Sequence, residues 1–336
     1  MQRLMIESVI DTGRSANIGT VSFNCNSCGK CCNSAPLMSI PELFYHENLF
    51  VGCLAVRRVT RQKEGDTLIS AGIHYSVSAH DALQIQKMAE LQLCNSDDKV
   101  FGTYDFSIMT QAMDYESLNK CPALGEAGQC GIHFDQKPSV CSMVPFDSLY
   151  PNSLQNIVVM SRQFEENCIV AGERDGYQVV INNKEVVSSH YSHILKQRRD
   201  DLALEKHWWG KAVFSMLQNE FFSQPDAVAK IPLDNGLLSL SIIPVLMVLA
   251  GASKKCNARC LQYVDSQLAL LDNKISLALI RKSVADKETT KEFRSFKDNY
   301  IKFRYQLIAD QQKKQFFVSS LEPEEWVKDL EAYLGV

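Results

Sequence analysis

Eight of the twelve cysteines in this 336-residue chain lie in two short stretches, and their spacing is that of metal ligands. The first stretch is Cys25-Asn26-Ser27-Cys28-Gly29-Lys30-Cys31-Cys32. Two thiolates three positions apart, followed by glycine, form the knuckle that metals favour, because a tight turn converges both sulfurs and Gly29 tolerates a positive φ. Thiolates repel one another, so four this close need a cation, protonation or oxidation, and Lys30 offsets part of the remaining charge. Cys31 and Cys32 are harder to place on one tetrahedral ion: neighbouring side chains diverge by about 100° on a helix and about 180° on a strand. An iron-sulfur cluster, or two metal sites, therefore stays level with a single zinc.

The second stretch holds Cys121-Pro122-Ala123-Leu124, Cys130 and, after Lys137-Pro138, Cys141. Gly125 and Gly128 reverse the chain between Cys121 and Cys130, while Pro138 and Pro145 fix the backbone on either side of Cys141. Cys168 is a further candidate. The expected ligand set is Cys25, Cys28, Cys31, Cys32, Cys121, Cys130, Cys141 and Cys168. Cys53, Cys94, Cys256 and Cys260 read as small buried hydrophobes. His133 reads as a surface imidazole, and His207-Trp208-Trp209 as an aromatic packing cluster. Disulfide sensing through Cys31 and Cys32 is disfavoured because a bridge between adjacent cysteines is strained. Zinc held by four thiolates is saturated and activates no water, so a structural metal would by itself bring no catalysis.

The pattern resembles the YkgJ-type cysteine-cluster family of zinc- or iron-chelating domains, marked by CxxCxxCC followed by C-P-x-L, C-x-I, P-x-x-C and P-F. The likeness covers roughly residues 23–36 and 120–146. This chain departs from the pattern at Phe134, Lys137 and Val144 and in the length between the two stretches, and no departure removes a thiolate. The resemblance implies a metal-chelating module, holding zinc or iron and serving as a binding or scaffold unit for a protein partner. A branch of the family resembles flagellin lysine-N-methylase, so the alternative it implies is an iron-sulfur protein lysine methyltransferase using S-adenosylmethionine. No glycine-rich methyltransferase loop is evident in the sequence.

The bulk numbers bound these readings. With 46% hydrophobic and 22% charged residues the chain is globular, and its length exceeds the roughly 250–300 residues at which single cores stop growing. Net charge is -4 and pI about 6.0, which points away from nucleic acid. Arg3, Glu7 and Asp11 interrupt the N-terminal apolar residues, so a secretory segment is not expected and the chain is read as cytoplasmic, where thiols stay reduced. The longest apolar run, Gly236 to Ala252, is too short for a membrane span and reads as a buried core helix.

The elements that must position the sulfurs follow from periodicity and turn chemistry. Ile18 to Phe23 is predicted as a strand leading to the first cluster, and Ser39-Ile40-Pro41-Glu42 as a capping box that opens a helix. Residues 51–80 suggest a hairpin around Gly65-Asp66 and Gly72, and residues 80–94 a helix. A second hairpin is expected over Asn156 to Val187, with Ile157 to Met160 and Tyr177 to Ile181 as strands and Asn182-Asn183 in a turn. From Ser188 onward long amphipathic helices are expected, including Asn257 to Ala285 and one after Pro323. The predicted fold is mainly α with minor β (α+β). It comprises a cysteine-rich, irregular metal-binding lobe over 1–187, with an insertion at about 50–115, and a helical lobe over 188–336.

Overall fold

The computed structural model describes residues 19–25, 29–70, 73–91, 104–126, 128–163, 168–232, 236–312 and 324–336. Along these run β1 (Thr20–Phe23), α1 (Ile40–Tyr45), β2 (Val51–Thr60), β3 (Thr67–Ser70), β4 (Ile73–Ser76), α2 (Ala79–Leu91) and β5 (Tyr104–Met113). Next come α3 (Ser139–Ser142), α4 (Gln155–Gln163), β6 (Ile169–Ala171), β7 (Gln178–Asn182), β8 (Glu185–Val186) and α5 (Ser189–Glu205). The chain continues through α6 (Lys211–Leu217), α7 (Pro225–Ala229), β9 (Leu238–Ser241), α8 (Ile243–Ala252), α9 (Lys254–Arg281), α10 (Lys287–Gln312) and α11 (Glu324–Leu334). Helix predominates over strand, as the composition of the second half implies.

Three antiparallel sheets form among the described residues, with strand orders β6-β1-β7-β8, β5-β2-β9 and β3-β4. β2 is the middle strand of its sheet and is buried continuously from Val51 to Val56, as a strand covered on both faces must be. Its partners are β5 and β9, so the hairpin expected over 51–80 forms only between β3 and β4. The region read as an insertion thus supplies the core strand of the molecule. Residues 155–163 are helix where a strand was expected. Leu154, Ile157 and Met160 fall at steps of three and are buried together, which is helical spacing. The apolar run from Gly236 divides into strand β9 and helix α8, with Pro244 in the first turn of α8.

The two longest helices form an antiparallel hairpin. α9 buries Cys256, Cys260, Tyr263, Val264, Gln267, Leu271, Ile275 and Ala278, and α10 buries Phe293, Phe296, Tyr300, Phe303 and Leu307, all at steps of three and four. The cysteines expected as small core residues, Cys53, Cys256 and Cys260, are fully buried, while Cys94 lies outside the described residues. Trp208 and Trp209 pack as expected, Trp208 against Tyr333 at 4.3 Å.

The larger core draws on Met38 to Ala123 as well as on Trp208 to Leu334, so it crosses the expected 187/188 boundary. The smaller core joins Val21, Phe23, Phe146, Cys168 and Ile181 to Tyr191 and Leu195 of α5. A separate cysteine-rich lobe is therefore not evident among the described residues: Cys121 is built into the larger core and Cys168 into the smaller one. The physical reason is apolar content. Loops that irregular bury little surface of their own and gain stability by packing on a neighbouring core.

Helix α1 is the link to the site. Glu47, just past its end, accepts hydrogen bonds from Arg259, Gln262 and Ser266 of α9, and the Arg259 guanidinium lies 4.3 Å over the Phe44 ring. Gln267 caps the same junction: its amide oxygen accepts from Gly52 N, and its NH2 donates to the Glu47 and Phe50 carbonyls. The turn into β2 is thereby fixed on α9 with its buried backbone groups satisfied.

Candidate metal centre

The site is built from two loops that touch. In the first, Gly29 has φ +72° and opens a 3-10 turn over Lys30–Cys32, closed by Cys32 N donating to the Gly29 carbonyl at 2.9 Å. The positive φ that the CxxCG spacing required of Gly29 is present. The second loop, from Cys121 to Gly131, folds on itself: Leu124 N donates to the Cys121 carbonyl, Gly125 N to Gln129, and Gly131 N to Ala123.

Cys121 N donates to the Cys32 carbonyl at 2.7 Å, which ties one loop to the other. Gly29 lies beneath the second loop so closely that a Cβ there would stand 3.1 Å from the Gly128 carbonyl oxygen and 3.3 Å from Leu124 Cδ1. The two stretches, far apart in sequence, thus interlock at their glycines.

Cys141 reaches the site from α3. The carboxylate of Glu42 brackets this placement: one oxygen accepts from Ser39 N at 2.7 Å, completing the capping box of α1, and the other accepts from Ser139 N at 2.6 Å. Sequence reasoning found Glu42 only as a helix cap; its second bond, to the helix that carries Cys141, had no local signal. The loop between Cys130 and Cys141 is tied to α1 as well, by Tyr45 to Asp135 and by the His46 ring to the Gln136 carbonyl. The Val144–Pro145 peptide is cis.

Four sulfurs lie within electrostatic reach of one another. The Cys32 thiol is lowered from its ordinary range by a hydrogen bond with Cys31, against burial and against the charges of Cys121, Cys141 and Cys130. Burial pushes Cys121 up to about 11 and Cys141 up to about 12, and in each the neighbouring sulfurs add to the rise. Two of the four are thus held as thiols near neutral pH.

Cys25 and Cys168 meet elsewhere. Asn24 N donates to the Cys168 carbonyl at 3.0 Å where β1 runs beside β6, and the Tyr191 hydroxyl is pushed up to about 12 by burial, with the charges of Cys25 and Cys168 adding to the rise. Tyr191 was not singled out from the sequence, and nothing local marks it. His133 sits edge-on to Phe134. Cys28 lies outside the described residues. Among the described residues no three His, Cys, Asp or Glu side chains stand in a ready-made ligating arrangement.

A cleft of about 450 Å³ opens beside α3, lined by Glu42, Lys137, Ser139, Ser142, Asp201 and Tyr333 among others. Beneath it Glu205, fully buried, accepts from Ile40 N at 2.8 Å and from the Tyr333 hydroxyl at 2.9 Å, and burial raises its carboxyl to about 7. No helix among the described residues is long and apolar enough to cross a membrane.

No family model, no curated protein and no solved structure matches the chain.

Proposed function

We propose that this chain is a cysteine-cluster metal-binding protein that holds zinc or iron, the iron in an iron-sulfur centre, and serves as a binding or scaffold module for a protein partner. One observation carries the reading: the Cys121 N–H to Cys32 carbonyl bond and the glycine contact beside it bring two cysteine-rich loops face to face. The donor chemistry fits the group. Cys32, Cys121, Cys130 and Cys141 offer four sulfurs of one type, and a shared cation would offset the burial that chiefly raises Cys121 and Cys141 and the repulsion between the sulfurs that adds to it. Cys28 and Cys31, on the same loop as Cys32, and the pair Cys25 and Cys168 complete the candidate set.

The bound metal would supply the positive charge that lets these thiols ionise and would lock the two loops into one surface. The chain's own groups set where this occurs: Gly29 permits the turn, Glu42 holds α3, and α9 holds α1. Anaerobic purification followed by metal and sulfide analysis tests the reading. Broad absorbance with iron and sulfide supports a cluster, stoichiometric zinc in colourless protein supports a structural site, and metal-free protein that takes up neither metal rejects both.

A second reading is a protein lysine methyltransferase that pairs an iron-sulfur centre with S-adenosylmethionine. The cleft beside α3 supports it, since its volume falls in the range of small-molecule sites. Calorimetric titration of metal-loaded protein with S-adenosylmethionine tests it, and absence of binding rejects it.

A further inference from the structure

The cleft beside α3 is lined by two opposite charges that form no ion pair. Lys137 comes from the segment before α3 and Asp201 from α5, and both are half-buried. Neither the Lys137 ammonium nor the Asp201 carboxylate makes a hydrogen bond or an ion pair with another described residue, so the two do not meet across the cleft, and Arg198 acts on Asp201 only at longer range. A partly desolvated charge in this state is destabilising, and a ligand of opposite sign relieves it. The other carboxylate of the lining, Glu42, is already committed, since its two oxygens accept from Ser39 N and Ser139 N. Gln197, one turn before Asp201 on the same face of α5, has an amide with no hydrogen bond among the described residues, and the Ser139 hydroxyl, shielded from solvent, has none either. Pro41 and Ile194 supply an apolar wall.

We propose that this cleft binds a small zwitterion with an α-amino-acid head, its carboxylate on Lys137 and its ammonium on Asp201. Such a molecule satisfies both charges at once, whereas a simple anion or cation leaves one of them without a counterion. The volume of about 450 Å³ exceeds what the head fills, and the apolar wall takes the side chain that follows it. A free amino acid and S-adenosylmethionine both present this head. Neither Lys137 nor Asp201 is a candidate metal ligand, so the site stands apart from the metal-binding reading while it deepens the methyltransferase one.

Calorimetric titration of the whole chain tests the assignment, with L-methionine, with L-methioninamide, which lacks the carboxylate, with desaminomethionine, which lacks the ammonium, and with S-adenosylmethionine. L-methionine, S-adenosylmethionine or both are expected to bind, and L-methionine about tenfold more tightly than either truncated analogue. Lys137→Met and Asp201→Asn break no hydrogen bond or ion pair of the protein, keep its circular dichroism, and are each expected to weaken the bound ligand about tenfold. Lys137→Met should no longer distinguish L-methionine from its amide, nor Asp201→Asn from the desamino acid, because substitution and truncation then remove the same contact. Binding of S-adenosylmethionine alone assigns the head to that molecule, and binding of L-methionine alone assigns it to a free amino acid and rejects the methyltransferase reading. Absence of heat with both, an analogue that binds as tightly as L-methionine, or affinity unchanged in the two variants overturns the proposal, and metal and sulfide content decide the metal-binding reading independently.

Discussion

The amide of Cys121 donates to the carbonyl of Cys32 at 2.7 Å, so a backbone hydrogen bond, independent of any metal, registers one cysteine loop against the other. Its partners are main-chain groups, and it holds whatever the protonation state of the thiols.

Metal binding should be linked to protons. Burial raises Cys121 to about 11 and Cys141 to about 12, so near neutral pH both enter a metal site by losing a proton. Zinc affinity should therefore rise with pH, with release of about two protons per ion from this pair near pH 7. Calorimetry in two buffers of different ionisation enthalpy measures the release, and a pH-independent affinity would contradict the assignment of these two thiols.

Gly29→Ala should loosen the site without unfolding the protein. The left-handed φ of +72° costs a non-glycine residue about 1–2 kcal/mol, and the new Cβ would press on Gly128 O and Leu124. Metal affinity is expected to fall about tenfold by that energy, with far-ultraviolet circular dichroism unchanged. Equal affinity in the variant would show that the glycine interlock does not set the spacing of the sulfurs.

Gly52→Ala should instead damage the core. A Cβ at Gly52 would fall 2.1 Å from the hydroxyl oxygen of Tyr263, a fully buried ring that cannot withdraw. A loss of about 3 kcal/mol is expected in urea unfolding, as for other overpacked cores. Combining it with Tyr263→Phe, which removes the clashing oxygen, should recover most of that loss, and strict additivity of the two changes would refute the steric account.

Glu205 predicts a slope of stability with pH. Its carboxyl is raised by burial from the ordinary 4.5 to about 7, against the opposing effects of Arg198, Ile40 N–H and the Tyr333 hydroxyl. The folded state then keeps a proton that the unfolded chain has released. Stability falls as pH rises from about 4.5 to about 7 and levels off above, by on the order of 3 kcal/mol in all. Glu205→Gln keeps an acceptor for Ile40 N–H and should remove this contribution. Thermal unfolding of both proteins across that window measures it; parallel curves would assign the slope to other groups.

Much of the fold was legible in the sequence where the signal was local. Ser39 and Glu42 announce a helix start by their own spacing, and both bonds of the capping box form. The apolar positions of α9 repeat at three and four residues, and the helix follows them. Where local signals were ambiguous the reading failed. Ile157 to Met160 is rich in strand-forming residues, yet the segment is helix, with Val159 buried in the smaller core. The hairpin expected over 51–80 forms between β3 and β4, while β2, read within the same segment, pairs instead with β5 and β9, because pairing is chosen by which strands share a buried face.

The candidate site divides in the same way. By themselves, the residues determined that the sulfurs are grouped in CxxC and C-P-x-L spacings and that Gly29 can turn the chain with a positive φ, because these depend on atoms a few bonds apart. Tertiary structure alone decided that the loop of Cys32 is bonded to the loop of Cys121, that the strand end at Asn24 is bonded to Cys168, and that Glu42 anchors the helix of Cys141. Those relations join groups distant in the chain, and burial and hydrogen bonding that form only when the whole chain packs select among them.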